Sequence, residues 1–217
     1  MTRLKVCGIT RPEDAELAVE VGAWAIGFIL WQGSKRYVEP AMAAGIARSV
    51  RRRAELVGVF VNPTLDEVAH AAEAMGLTHL QLHGDEGPSF CTAAAQRTGC
   101  RVIKALRIRS RADIADAKRF HTDLHLLDSP GNGRTWDWRL AAERRTRIPL
   151  ILAGGLTPAN VGEAIAEAYP WAVDVASGVE SEPGIKDPAK VRAFAEAVAE
   201  ASPVASEAVM SPQGEAG

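Results

Sequence analysis

The chain has 217 residues, of which 47% are hydrophobic and 24% are charged, and its formal net charge is −2. This length fits a single globular domain, and the nearly balanced charge lacks the basic excess typical of nucleic-acid-binding proteins. No apolar stretch approaches the roughly 18 residues that a membrane span requires. We therefore expect one domain that binds neither nucleic acid nor a membrane.

The cysteines and the N-terminus indicate the compartment. Cys7, Cys91 and Cys100 are an odd number, without the spacing of a metal site or a CxxC motif. The N-terminus enters a strand-like run directly, without the charged and then apolar region of a signal peptide. These features suit a reducing compartment and give no sign of a bound metal, so we expect a cytoplasmic protein.

In chain order, short β-rich runs alternate with segments that have helical periodicity. The eight runs are RLKVCGI, WAIGFIL, ELVGVFV, THLQLH, RVIKAL, DLHLLD, IPLILAG and AVDVAS. They are almost continuously apolar, as expected for parallel strands covered by helices on both faces. Eight such units of about 25 residues each reach Ala201, which favours a closed (β/α)8 barrel of the α/β class over an open doubly wound sheet.

The chain after Ala201 differs in composition from the rest. Residues 202–217 are rich in Pro, Ser, Glu and Gly and have no apolar period. Such a segment cannot bury enough apolar surface to offset its ordering entropy. We therefore predict a single barrel domain over residues 1–201 and a disordered tail over 202–217.

Several predicted helices begin at recognisable sequence signals. Capping-box spacing, or an N-cap residue followed by proline, occurs at Thr10 with Glu13, Thr64 with Glu67, Thr157 with Pro158, and Asp187 with Pro188. Each of these signals follows one of the predicted strands. They support the strand-then-helix order of the repeated unit.

A barrel of this kind carries its chemistry at the C-terminal ends of the strands and in the loops that follow. Residues that are far apart in sequence meet at that rim. The candidates there are Cys7, Arg36, His83, Asp128, Gly154, Gly155, Asp174, Ser177 and Gly178. Position in the fold thus predicts one site from nine scattered residues.

The strongest signal at this rim is for a phosphate group. The segment LAGGLTPAN follows the seventh strand and VASGVE follows the eighth, which puts Gly154, Gly155, Ser177 and Gly178 where backbone N–H groups can approach an anion. A tight turn before Thr157 would also explain the two adjacent glycines. The presence of the pattern in both loops favours phosphate binding.

The ordered motifs KVCGIT, GFILWQGSKRYV, VGVFVN, LQLHGDE, DSPGNGRTWDW, LAGGLTPANV and VDVASGVESEPGIKD extend from Lys5 to about Phe194. This set resembles the phosphoribosylanthranilate isomerase family of tryptophan biosynthesis. The resemblance implies a (β/α)8 barrel that isomerises a phosphosugar substrate, N-(5'-phosphoribosyl)anthranilate, by an Amadori rearrangement without a cofactor. It also implies that Cys7 is the general base, Asp128 the general acid and Arg36 the ligand of the anthranilate carboxylate.

The reaction sets conditions for these residues. An acid must protonate the furanose ring oxygen and a base must remove the proton from C2′, so the pKa of Asp128 must be raised and that of Cys7 lowered toward neutrality. Without the other motifs, Cys7 would be interpreted as core packing, and Asp128 as a loop cap. Arg36 could be a surface residue. His83 and Asp174 could contact substrate or only orient a loop.

Two other functions stay open at this point. A histidine-pathway isomerase runs the same rearrangement, but its resemblance would predict a carboxylate base at the end of the first strand, where this chain has Cys7. A non-catalytic barrel that binds phosphorylated metabolites would keep the glycine loops and lose the acid and base. The Arg- and Ala-rich helices give no clear interface, so the sequence leaves open a monomer or a homodimer.

Overall fold

The structure, a computed structural model, describes residues 1–131 and 135–202. Within these ranges eight parallel strands form the central sheet: β1 (Arg3–Cys7), β2 (Ala25–Ile29), β3 (Glu55–Phe60), β4 (His79–Leu82), β5 (Arg101–Arg107), β6 (Leu124–Asp128), β7 (Leu150–Leu152) and β8 (Ala172–Val175). They pair in chain order, and β8 pairs with β1, so the sheet closes. The predicted (β/α)8 barrel is confirmed.

The helices alternate with these strands. In the described ranges they are α1 (Pro12–Glu20), α2 (Pro40–Val50), α3 (Leu65–Met75), α4 (Pro88–Thr98), α5 (Arg111–Asp116), α6 (Arg139–Ala142), α7 (Val161–Ala168) and α8 (Pro188–Ala201). A small antiparallel pair, β9 (Glu180–Glu182) and β10 (Ile185–Lys186), lies between β8 and α8. None of the helices in the described part of the chain is long and apolar enough to cross a membrane.

The strands divide their side chains between two layers of core. Val6 belongs to a large cluster that contains helix residues, whereas Cys7 belongs to a second cluster built without any helix residue, which is the barrel interior. Successive side chains of a strand point to opposite faces. The interior face therefore also carries Lys5 of β1, Asp128 of β6 and Asp174 of β8, so charged groups lie inside the barrel beside its apolar residues.

Two of the predicted helix starts are confirmed. Thr64 caps α3 in a reciprocal capping box, in which its hydroxyl accepts from the Glu67 backbone N–H and the Glu67 carboxylate accepts from the Thr64 backbone N–H. The carboxylate of Asp187 accepts from the first backbone N–H groups of α8. Both caps satisfy donors that the helix itself leaves unpaired.

The other two predicted starts are wrong, because Thr10 is engaged by a distant loop and Thr157 by a local turn. α1 begins after Arg11, and the Thr10 hydroxyl donates instead to the backbone carbonyl of Gly184, beside β10. α7 begins only at Val161, since Asn160 folds back: its side-chain oxygen accepts from the Thr157 backbone N–H. In both places the loop that follows the strand is longer than the local pattern predicts.

The last described residue is tied to the first strand. The Ser202 hydroxyl donates to the Val198 carbonyl at 2.7 Å and accepts from the Thr2 backbone N–H at 2.9 Å. Ser202 is buried, and α8 ends at Ala201. Apart from Ser202, the predicted tail over 202–217 lies outside the described residues and stays a prediction.

Candidate active site

The inward-facing polar residues of four strands meet at the C-terminal end of the barrel. Cys7 and Asp128 are the last residues of β1 and β6, His83 directly follows β4, and Asp174 lies in β8. Strand alternation directs these four side chains inward, as the sequence predicts. Arg36 reaches the same rim from the loop after β2.

Cys7 is buried, with 5% of its surface exposed. Burial raises the pKa of its thiol, the positive charges of Lys5 and Lys186 oppose this effect, and the carboxylate of Asp174 adds to it. The net shift is upward. A thiol that acts as a general base needs a pKa lowered toward neutrality. The Cys7 thiol of the free protein does not have one.

Lys5 is the cation with the largest effect on this thiol, and motif reasoning missed it. The residue is fully buried, and its Nζ lies 2.9 Å from Asp174 Oδ1. Burial lowers the pKa of Lys5, but Asp174 and Cys7 raise it more, so its net shift is upward. A lysine on the interior face of a strand, two residues before a candidate base, is the sequence signal that could have identified it.

Asp128 meets the condition for a general acid. Burial raises its pKa to about 6, the negative charge of Asp174 adds to the rise, and a hydrogen bond from the Ser129 backbone N–H partly offsets it. Its second carboxyl oxygen, Oδ2, lies 3.4 Å from His83 Nε2. A carboxyl group with this pKa keeps a protonated fraction near neutral pH.

His83 is a neutral neighbour of this acid. Burial, with the positive charges of Arg107 and other cations, lowers its pKa to about 4. The imidazole is therefore uncharged at neutral pH, and its Nε2 lies beside Asp128 without a hydrogen-bond partner among the described residues.

Arg36 does not present a free guanidinium. Its Nε and Nη2 donate to the two carboxylate oxygens of Glu180 at 2.8 and 2.7 Å, a bidentate pair of the kind that arginine forms with carboxylates. Glu180 also accepts from the buried Lys186 at 2.9 Å. Gly8, at φ +74°, gives Arg36 room, because a Cβ there would lie 2.7 Å from the arginine Cδ. Motif reasoning missed both Glu180 and Lys186.

The two glycine loops lie against each other at the ends of β7 and β8. Gly154 and Gly155 have φ values of +93° and +68°, which favour glycine. A Cβ on Gly154 would come within 2.5 Å of the Ser129 nitrogen, and one on Gly178 would overlap the Leu156 carbonyl oxygen. Close backbone packing therefore requires these glycines whether or not an anion binds.

A cavity of about 230 Å³ joins these groups. Asp128, Asp174 and Arg36 line it together with the Gly154–Gly155 and Ser177–Gly178 loops. The lining thus combines two glycine-containing loops, a cation, and a carboxyl group that can be protonated, whereas Cys7 and His83 are not among the lining residues. A larger cavity of about 490 Å³, between the loops after β2 and β3, contains none of the candidate residues.

Comparisons with known proteins agree with this geometry. A family model described as N-(5'phosphoribosyl)anthranilate (PRA) isomerase matches residues 4–197. The N-(5'-phosphoribosyl)anthranilate isomerase of Citrifermentans bemidjiense is 44% identical over 211 residues, which cover 94% of this chain and 99% of that protein. The crystal structure of phosphoribosyl anthranilate isomerase from Thermotoga maritima is 39% identical with a TM-score of 0.86, over 92% of this chain and 100% of that one.

A second solved structure carries a bound ligand. It is a phosphoribosyl anthranilate isomerase in complex with reduced 1-(o-carboxyphenylamino)-1-deoxyribulose 5-phosphate. That chain is 38% identical with a TM-score of 0.82, and the match covers 92% of this chain and all of the other. These likenesses extend through all eight strands.

Proposed function

The chain belongs to the N-(5'-phosphoribosyl)anthranilate isomerase family, an enzyme family of tryptophan biosynthesis, and from that premise we propose that Cys7 is its general base and Asp128 its general acid. The observation that carries the proposal is the raised pKa of Asp128, about 6, at the rim of a cavity that also holds two glycine loops. A protonated carboxyl group beside an anion site is what the first step of the rearrangement needs.

The two residues act in sequence. Asp128 gives its proton to the furanose ring oxygen, and the ring opens to a Schiff base. Cys7 then takes the proton from C2′, and the resulting enolamine becomes the ketone. Because Asp128 and Cys7 end different strands of a closed barrel, β6 and β1, they approach the sugar from different directions. The rearrangement changes no net oxidation state, so we expect that it needs neither metal nor cofactor.

The backbone N–H groups of Gly154, Gly155, Ser177 and Gly178 are our proposed phosphate ligands. Their loops line the same cavity as Asp128, and the positive φ values of Gly154 and Gly155 give the loop after β7 the irregular backbone from which such concave anion sites are built. The ligand of the second solved relative carries a 5-phosphate, in agreement with a phosphate site in this fold.

Arg36 is our proposed ligand of the anthranilate carboxylate. Glu180 uses two of the five guanidinium donors, which leaves three for a ligand. Glu180 therefore fixes the orientation of Arg36 rather than blocking it. We also propose that Asp174 and His83 contact the sugar, since one carboxyl oxygen of Asp174 is held by Lys5 and the His83 Nε2 has no partner among the described residues.

The test is a fluorescence assay that follows consumption of N-(5'-phosphoribosyl)anthranilate by the purified chain. The control substrate is that of the histidine-pathway isomerase, which undergoes the same rearrangement without an anthranilate carboxylate for Arg36 to hold. We expect turnover of the first substrate and little of the second. Turnover of the second alone would contradict the proposed roles of Cys7 and Arg36.

Location and assembly belong to the same proposal. We propose that the protein works in the cytoplasm, because its three cysteines, Cys7, Cys91 and Cys100, are all free thiols. A monomer or a homodimer is our expectation, and sedimentation equilibrium at several concentrations distinguishes the two. A stable higher oligomer would contradict it.

A further inference from the structure

Lys5 is a buried cation inside the barrel. Its side chain is fully buried on the interior face of β1, and the carboxyl group of Asp174, which holds it at 2.9 Å, is only 9% exposed. Removing a lysine from water is costly unless a partner compensates its charge. Core packing by itself does not require a charged side chain here, because apolar residues such as Ala25 and Val57 fill neighbouring interior positions of the barrel.

The Lys5 ammonium has a second neighbour, the sulfur of Cys7, which follows it on the same face of β1. Both groups lie over Gly27 of β2, which pairs with Cys7 in the sheet. A Cβ on Gly27 would lie 2.7 Å from Cys7 Sγ and 3.2 Å from Lys5 Nζ. The absent side chain at position 27 thus leaves the space that the sulfur and the ammonium share.

The other charged groups around Cys7 are held differently. Lys186 and Arg36 face it from β10 and from the loop after β2, and both are paired with the carboxylate of Glu180. Asp174 faces it from β8 and is paired with Lys5. Lys5 is thus the buried cation on the thiol's own strand, and it exerts the largest favourable charge effect on the thiolate.

We propose that Lys5 is a positioning residue that stabilises the thiolate of Cys7, with Asp174 holding its ammonium in place and Gly27 leaving room for the two groups to meet. This inference rests on the proposed role of Cys7 as the general base. In the step itself, the thiolate takes the C2′ proton and becomes a thiol. Lys5 keeps all its protons and does not touch the substrate.

The experiment measures the ionisation of each cysteine in the free protein. Carbon-13 labelling of the cysteine Cβ atoms gives one NMR signal per thiol, and its shift with pH reports that thiol's midpoint. Cys91 and Cys100 serve as internal controls. In Lys5→Met we expect the Cys7 midpoint to rise by about one unit or more, the size of a nearby opposite charge. In Asp174→Asn the amide oxygen can still accept from the Lys5 ammonium while the negative charge is removed, so we expect the midpoint to fall.

A second pair of variants covers the case in which Lys5→Met fails to fold with Asp174 unpaired. The double variant Lys5→Met/Asp174→Asn removes both charges, and its Cys7 midpoint should lie above that of Asp174→Asn. An unchanged midpoint in both comparisons overturns the inference, and so does an equal shift of all three cysteines. The corresponding loss in kcat/KM should be about tenfold per unit of midpoint shift.

The role of Cys7 as the base and the role of Lys5 are tested separately. If Cys7→Ala keeps full turnover, Cys7 is not the base, whatever Lys5 does to its thiol. If Cys7→Ala is inactive while the Lys5 variants leave the Cys7 midpoint unchanged, the base is correct and the role of Lys5 is wrong.

Discussion

Burial affects the two sides of the site with opposite consequences. The acid side is Asp128 with His83, and the base side is Cys7 with Lys5 and Lys186. Burial raises the pKa of Asp128 and of Cys7 alike. For an acid that must hold a proton, the rise is useful. For a base that must lose one it is a handicap, which the positive charges of the buried Lys5 and Lys186 oppose.

Asp174 connects the two sides. Its negative charge raises the pKa of Asp128, and its hydrogen bond holds the ammonium of Lys5 near Cys7. One carboxylate in β8 thus favours the protonated acid and anchors the cation of the base. The largest charge effect thus adds to burial at Asp128 and opposes burial at Cys7.

The largest expected effect on kcat comes from removing either reacting group. Cys7→Ala and Asp128→Asn should each lower kcat by roughly 10²- to 10⁴-fold with little change in KM, because proton transfer belongs to the transition state. Steady-state assays of both variants measure this. Cys91→Ala is the matched control, since Cys91 is buried on α4 outside the site. Near wild-type turnover in a site variant would refute that residue's role.

Substitutions of Arg36 test whether this residue binds the anthranilate carboxylate. Arg36→Ala should weaken binding of the reduced product analogue by about 1.5 to 3 kcal/mol, the size of a hydrogen bond between charged groups. Arg36→Lys should also weaken it, because an ammonium cannot pair with Glu180 and a carboxylate through a planar fork. Calorimetry measures both affinities.

Ribulose 5-phosphate, which lacks the aromatic acid, is the control ligand for Arg36. Its affinity should hardly change in either variant. Arg53→Ala, which removes an exposed pair with Glu16, should affect neither ligand. Equal weakening of both ligands by the Arg36 variants would show that Arg36 serves the phosphate or the fold.

The raised pKa of Asp128 should also lower the stability of the folded protein above pH 6. An unfolded aspartate has a pKa near 4, whereas that of folded Asp128 is about 6. The folded protein binds the proton more tightly, so it loses stability as pH rises from about 4 to 6 and carries that loss above pH 6. Asn does not titrate, and Asp128→Asn should therefore be more stable than the wild type by about 3 kcal/mol at pH 8.

Urea unfolding at pH 8 and pH 4 checks this difference, which should disappear at the lower pH. Asp137→Asn is the control, because its carboxylate is paired with Arg139 at the surface and its pKa is lowered. That variant should show no gain at pH 8. A gain of equal size for Asp128→Asn at both values would mean that packing, and not ionisation, explains it.

The sequence predicts the barrel and the rim, because strand and helix periodicity is local and the fold brings the strand ends together. It does not predict how charges pair there. The Arg36–Glu180 pair joins residues 144 positions apart, and Lys5 meets Asp174 only when β8 closes the barrel against β1. The predicted helix start at Thr10 is wrong for the same reason, since the distant carbonyl of Gly184 accepts from its hydroxyl. The start at Thr157 is wrong for a local reason, because Asn160 folds back onto the Thr157 backbone N–H.

The smallest effect concerns the chain end, away from both sides of the site. Deleting residues 203–217 should leave kcat and Tm unchanged, because the sequence offers no apolar face there to bury. Deleting 202–217 also removes Ser202, whose hydroxyl bonds to the Thr2 backbone N–H and the Val198 carbonyl. A buried N–H left unpaired costs about 1 kcal/mol or more, so this deletion should lower Tm by a few degrees and leave kcat unchanged. Calorimetry and assays of the two proteins compare them directly, and a loss of activity in the shorter deletion would show that the acid and base sides depend on chain beyond the barrel.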